Sequence, residues 1–293
     1  MDRSIRFENK LDAILKNREF ISTDRYQELA TRFDFLIYRK RDFLFKGGSW
    51  RGIKQPGLLE NLTSYRGKIV ITGHADQATS QFSSALLKAL GARSIFGTNT
   101  IPSLTFAFSQ PIGVCDDCDD SPLHRIIGNK EHFIRADGAA RHLGSYNNSI
   151  YVNFTTSNNQ DARSTALRTL NGFSSKYKIE VQTPEFSEAG RIKYLTALRE
   201  NSFVLCPEGN GIDTHRLWET LYMGGIPIIL SNPVLDPLIK DLPVVSLSSW
   251  NELSDRSRME TQWGKIRERT WNYSKLKFSF WEKRILDHYF SSI

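Results

Sequence analysis

At 293 residues the chain is longer than one ordinary domain needs, and about 150 residues per domain makes two packed lobes the expectation. Its 40% hydrophobic, 12% aromatic and 24% charged residues exclude global disorder. No stretch approaches the roughly 18 uninterrupted apolar residues of a membrane helix, and three cysteines, Cys115, Cys118 and Cys206, are too few and too odd a set for a disulfide scaffold. Lys and Arg outnumber Asp and Glu by 39 to 32, and the net charge of +7 favours anionic partners without choosing among nucleotide diphosphates, lipid phosphates and nucleic acid.

The first 66 residues read as helical and basic, with Phe7, Leu11, Ile14 and Leu15 at helical spacing. The opening residues mix charges throughout and lead into no apolar core of a secretory signal. With the sparse cysteines, this makes a soluble protein in the reducing cytoplasm the expectation. From Lys68 the pattern changes to a strand, KIVIT, then a polar turn from Gly73 to Ser80. A helix follows with Phe82, Ala85, Leu86, Ala89 and Leu90 on one face and Gly91 as its stop. Short apolar runs at SIFG and LTFAF lead to a turn-rich stretch from Pro111 to Asn129, and the chain turns polar again from Gly138 to Asn148. The lobe boundary is placed there. This gives an N-terminal lobe over residues 1–146, a C-terminal lobe over 147–270 and a terminal helical region over 271–293. Beyond the boundary, strand candidates at SIYVNF, KIEVQ, FVLC, IPIIL and PVVSL alternate with helical patterns at Ala162 to Leu170 and Gly190 to Glu200. Such alternation predicts an α/β fold with a mainly parallel sheet flanked by helices.

The most informative stretch runs from Asn201 to Leu230. It reads as a strand from Phe203 to Cys206, a Pro-Glu-Gly-Asn-Gly loop, a helix from about Thr214 to Met223 and a second strand from Ile226 to Leu230. Asp213 or Thr214 is the expected N-cap, and Gly224-Gly225 the helix stop. Ligands of open α/β sheets bind outside the carboxyl ends of strands, where this loop must lie. Gly209 and Gly211, with Asn210 between them, let the backbone approach a ligand closely, and the helix start at Asp213, Thr214 and His215 offers free N–H groups and partial positive charge to an anion. Arg216 in the first turn can grip a phosphate with a two-pronged geometry that Lys cannot supply. Glu219 stands three residues after Arg216 and four after His215, on neighbouring faces of the same helix, where it can accept hydrogen bonds from ribose hydroxyls. The plain alternative is a surface Arg216–Glu219 pair beside a tight glycine turn.

These residues carry a resemblance. The segment resembles the nucleotide-sugar-binding signature of exostosin-like glycosyltransferases of the family 47 type: a strand ending in Cys-Pro, a glycine-containing loop, an Arg, a Glu three residues on, and a Gly-x-Pro-Val/Ile strand. Cys206-Pro207, Gly209, Arg216, Glu219 and Gly225-Ile226-Pro227-Ile228 stand in those places. Asn153-Phe154-Thr155 with Arg163, then Leu242-Pro243 and Trp250, extend it more loosely over most of the C-terminal half. The resemblance implies a GT-B fold, two Rossmann-like lobes with parallel sheets and a cleft between them. It further implies inverting sugar transfer without a bound metal or other cofactor, from a nucleotide sugar, by resemblance a UDP-sugar, to a hydroxyl of a glycan or glycolipid. The chain is short for such an enzyme, and its N-terminal lobe carries no strong motif.

In that lobe the strand KIVIT runs into Gly73-His74-Ala75-Asp76, again at a strand's carboxyl end. An inverting transfer needs a base for the attacking hydroxyl; Asp76 is the first candidate and His74 the second, while Asp76 as a simple helix cap is the competing reading. Arg163, at the start of a helix, can add positive charge for a leaving diphosphate. The run from Cys115 to Asp120 offers a lone C-x-x-C, with His124 or His132 to complete a zinc site, or an Asp-x-Asp-like set for Mn or Mg as in metal-dependent GT-A enzymes. Its turn formers favour a solvated loop instead. Trp263, Trp271, Lys275, Lys277 and Trp281 suggest a non-catalytic binder of nucleic acid or polyanionic glycan, but no RNP, helix-turn-helix or zinc-finger pattern accompanies them. Nucleic acid is therefore not the expected partner, although the basic surface suits peripheral contact with a membrane.

Overall fold

The computed structural model describes residues 11–33, 36–38, 45–46, 49–50, 66–72, 85, 88–89, 91–101, 104–117, 122–136 and 146–291. After a helical stretch over 11–16 comes helix α1 (Thr23–Arg32). The first sheet has four parallel strands, β1 (Leu36–Tyr38), β4 (Ile69–Thr72), β5 (Ser94–Gly97) and β6 (Ala107–Ser109), side by side in chain order. The small antiparallel pair β2 (Phe45–Lys46) and β3 (Ser49–Trp50) lies between β1 and β4 in the chain. Two short helices, α2 (Pro122–Ile127) and α3 (Glu131–Ala136), lead toward the second lobe.

Here the sequence expectation needs correction, since the first 66 residues are not all helical. Leu36-Ile37-Tyr38 forms the edge strand of the first sheet. Three residues are too few to reveal a two-residue period, and the strand exists because β4 offers it a partner.

The second sheet is wholly parallel, with the order β11-β10-β9-β7-β8. Its elements follow the chain as β7 (Ser149–Val152), α4 (Gln160–Asn171), β8 (Lys178–Val181), α5 (Glu188–Glu200), β9 (Phe203–Leu205), α6 (His215–Tyr222), β10 (Ile226–Leu230), α7 (Asp236–Ile239) and β11 (Val245–Leu247). Each strand after β7 is delivered by a helix, and β7, β9 and most of β10 are buried. This is why they read as near-continuous apolar runs. Taken in chain order the strands stand 2-1-3-4-5, a doubly wound arrangement whose order reverses between β7 and β9. The fold is mixed α/β with two parallel sheets, consistent with Rossmann-like lobes.

After helix α8 (Arg256–Glu268) the terminal helix α9 (Phe278–Ser291) packs against α1 and the first sheet. The Arg284 guanidinium donates to the Ser109 carbonyl, Arg93 donates to that of Tyr289, and His288 lies against the Phe96 and Phe108 rings. One continuous buried cluster runs from Leu11 and Phe20 through the second sheet to Trp281 and Ile285. Trp263, Trp271 and Trp281 are all buried in it, so they are core residues and present no stacking platform to bases. Among the described residues no helix is long and apolar enough to cross a membrane.

Candidate functional site

The strand order reverses between β7 and β9, and the carboxyl ends of strands at such a reversal are where doubly wound sheets receive ligands. Two segments leave those ends: Asn153-Phe154-Thr155 after β7, and Cys206 to Thr214 after β9. Asn159 joins them. Its side-chain oxygen caps α4 by accepting from the Ala162 N–H, while its amide donates to the Gly209 carbonyl at 2.9 Å. The N-termini of α4 and α6 are thereby drawn to the same loop, and each brings partial positive charge.

Arg163, in the first turn of α4, is buried beside this loop. Its guanidinium donates to the Glu208 carbonyl at 3.1 Å and to the Thr155 carbonyl at 2.8 Å. Gly209 makes room for it: a Cβ there would stand 2.9 Å from Arg163 Nη2. The glycine predicted to admit a ligand thus admits Arg163 first. Arg216, in the first turn of α6, donates to the Asn153 carbonyl, and its Nε is buried without a hydrogen-bond partner. Both guanidinium carbons stand over the Phe154 ring, at 5.7 Å for Arg163 and 5.6 Å for Arg216. Among the described residues no carboxylate forms an ion pair with either, and each bonds only to neutral carbonyls. Burial, and then the nearby charge of Arg216, bring the Arg163 pKa down to about 10. Two cations on one ring with no carboxylate ion-paired to them among the described residues form an electrostatic arrangement that a bound anion relieves.

No protein-family model matches the chain. Nor does any curated protein.

The other expected site residues divide. Asn210 is exposed at the loop tip, and the Gly209 N–H donates to the Gly211 carbonyl, closing the turn. Thr214 is the N-cap of α6 but makes no side-chain cap bond. Of the two expected N-caps, Asp213 and Thr214, it is thus Thr214 that takes the place, and Asp213 is used elsewhere. It is buried between the lobes, with Oδ2 accepting the Ile112 N–H and Oδ1 accepting the Trp218 indole N–H, both at 2.7 Å. Its own N–H donates to the Asn99 side chain, and His215 Nδ1 donates to the Gly113 carbonyl. These residues fasten α6 to the loops of the first lobe. Burial lifts the Asp213 pKa to about 7, against the opposing pull of its N–H donors.

Glu219 is also buried, and it pairs with Arg191 of α5 at 2.6 Å, not with Arg216. Its other oxygen accepts from the Tyr194 hydroxyl at 2.8 Å. Desolvation would raise its pKa, but the Arg191 charge more than offsets this and holds the carboxyl below its ordinary value. Arg191 further donates to the Ile127 carbonyl, tying α6 to α5 and the end of α2. Neither Arg191 nor Tyr194 was signalled by sequence, because nothing in spacing pairs them with a residue on another helix.

Asp76 and His74 lie outside the described residues, beyond the carboxyl end of β4. The reading of the Cys115 to Asp120 run as a solvated loop is corrected at its start. Cys115 and Asp116 are buried beneath α2, Asp117 is exposed, and residues 118–120 lie outside the described set.

Proposed function

We propose that the chain is a GT-B-type inverting glycosyltransferase that transfers a sugar from a nucleotide sugar, by resemblance a UDP-sugar, to a hydroxyl of a glycan or glycolipid. The observation that supports it most is the pair of guanidiniums, Arg163 and Arg216, over Phe154 at the topological switch point, with no carboxylate partner among the described residues. A diphosphate suits this place, since charge-assisted N–H···O bonds to phosphate are strong and Arg presents paired donors.

In this reading the acceptor oxygen attacks the anomeric carbon as the bond from that carbon to the diphosphate oxygen breaks. The acceptor proton passes to Asp76, with His74 as the second candidate, and Arg163 and Arg216 stabilise the charge growing on the leaving diphosphate. Arg supplies the positive charge at this step, so the proposal needs no metal at the diphosphate. Glu219 contributes by holding α6, and with it Arg216, through Arg191 and Tyr194.

The test is release of free nucleotide from a panel of UDP-, GDP- and CMP-sugars, with and without simple glycan acceptors. Turnover with one nucleotide class that Arg216→Ala abolishes supports the proposal. Nucleotide binding with no turnover across the panel and the acceptors would point instead to a non-catalytic anion-binding module.

A further inference from the structure

A separate cluster lies on the first-lobe side of the seam. The chain leaves a parallel bridge between Ser22 and Val114 and enters Cys115 and Asp116, both buried. Helix α2 then folds back over them and carries His124 at its third position. The return is tight. Gly128, just past α2, lies so close to the Asp116 backbone that a Cβ there would stand 2.1 Å from the Asp116 carbonyl oxygen. The Arg191 bond to the Ile127 carbonyl secures the same end of the helix.

This packing gathers one thiol, one carboxylate and one imidazole, whose ligand atoms all lie within 4.8 Å of one another. Cys115 Sγ is 4.0 Å from Asp116 Oδ1. Ligands about 2.0 to 2.3 Å from a zinc ion stand roughly 3.3 to 3.8 Å from each other in a tetrahedron, so small side-chain rotations close the set around an ion. The chemistry of the set is selective. Sulfur and imidazole nitrogen favour zinc-like transition ions over magnesium or calcium, which take oxygen. A thiolate, a carboxylate and a neutral imidazole together carry two negative charges, which balance a divalent ion and make burial of the set electrically neutral.

We propose that Cys115, Asp116 and His124 bind one zinc ion, which clips the segment after Val114 to helix α2 and leaves a fourth coordination position for water. The site is independent of the nucleotide reading and uses none of its residues.

The experiment is metal analysis of the purified chain after dialysis against metal-free buffer, followed by reconstitution with zinc and with cobalt. The expected result is about one equivalent of metal per chain and a thiolate-to-cobalt charge-transfer band in the near ultraviolet. Cys115→Ser should remove the band, and His124→Ala should weaken affinity at least roughly tenfold, whereas Cys206→Ser should keep both. His124 is only partly buried, so its replacement leaves the packing largely intact and decides the matter if Cys115→Ser fails to fold. Less than a tenth of an equivalent of metal after reconstitution would overturn the proposal, as would a cobalt band that survives Cys115→Ser or unchanged affinity in a folded His124→Ala.

Discussion

Arg163 and Arg216 share the Phe154 ring but bond only to main-chain carbonyls. A cation facing an aromatic ring gains about 0.5 to 2 kcal/mol, which does little to neutralise a second cation beside it. Each guanidinium is therefore held in place and electrically unsatisfied. Replacing Arg216 with Ala should weaken nucleoside diphosphate binding by about 1.5 to 3 kcal/mol, roughly 10- to 150-fold. Arg216→Lys should recover only part of this, because an ammonium lacks the paired donors; calorimetric titration measures both. Gly209→Ala tests the geometry from the other side. Its methyl would collide with Arg163 Nη2, so affinity should fall while the melting temperature changes little. Unchanged affinity would mean that Arg163 takes no part. Arg216 was legible in the sequence because it opens a helix after a glycine loop. The place of Phe154 was not, because the ring matters only through two arginines 53 residues apart in the chain, 163 and 216.

Among the elements, the β9-loop-α6-β10 unit was the most legible. Its strands are buried, which leaves continuous apolar runs, and glycines mark its turns. Strand β1 was hidden by its three-residue length, and the attachments of α6 by their distance in sequence. Asp213 meets Ile112 and Asn99 across 101 and 114 residues, and no local pattern encodes such a pairing. That attachment has a pH signature. Burial raises the Asp213 pKa in the folded chain to about 7, well above the unfolded range near 4. Between those values the native state keeps a proton that the unfolded chain has released. Stability should therefore fall as pH rises from about 4 to about 7, with a contribution approaching 1.4 kcal/mol per pH unit. Asn cannot titrate, so thermal unfolding of Asp213→Asn should lack this component of the slope. Equal slopes in the two proteins would show that Asp213 is charged throughout this range.

At the scale of the whole molecule, two parallel sheets meet along a seam fastened by Asn99, Ile112 and Gly113 on one side and Asp213 and His215 on the other. Helix α9 spans back to the first sheet, so its tryptophan and charged residues serve packing between distant parts of the chain. The mixed α/β organisation with parallel strands was legible from alternating strands and helices, whereas the return of α9 was not, because an amphipathic helix does not state what it packs against. The switch point of the second sheet is proposed to hold a diphosphate on two guanidiniums that have main-chain carbonyl partners but no carboxylate partner among the described residues. Calorimetric titration of the chain with UDP and with GDP, in buffer free of divalent cations, tests it most directly beside the double variant Arg163→Ala/Arg216→Ala. The account predicts one nucleotide per wild-type chain, weakened by added salt and lost in a folded double variant. Binding that needs added magnesium or manganese, or that persists in the double variant, would contradict it.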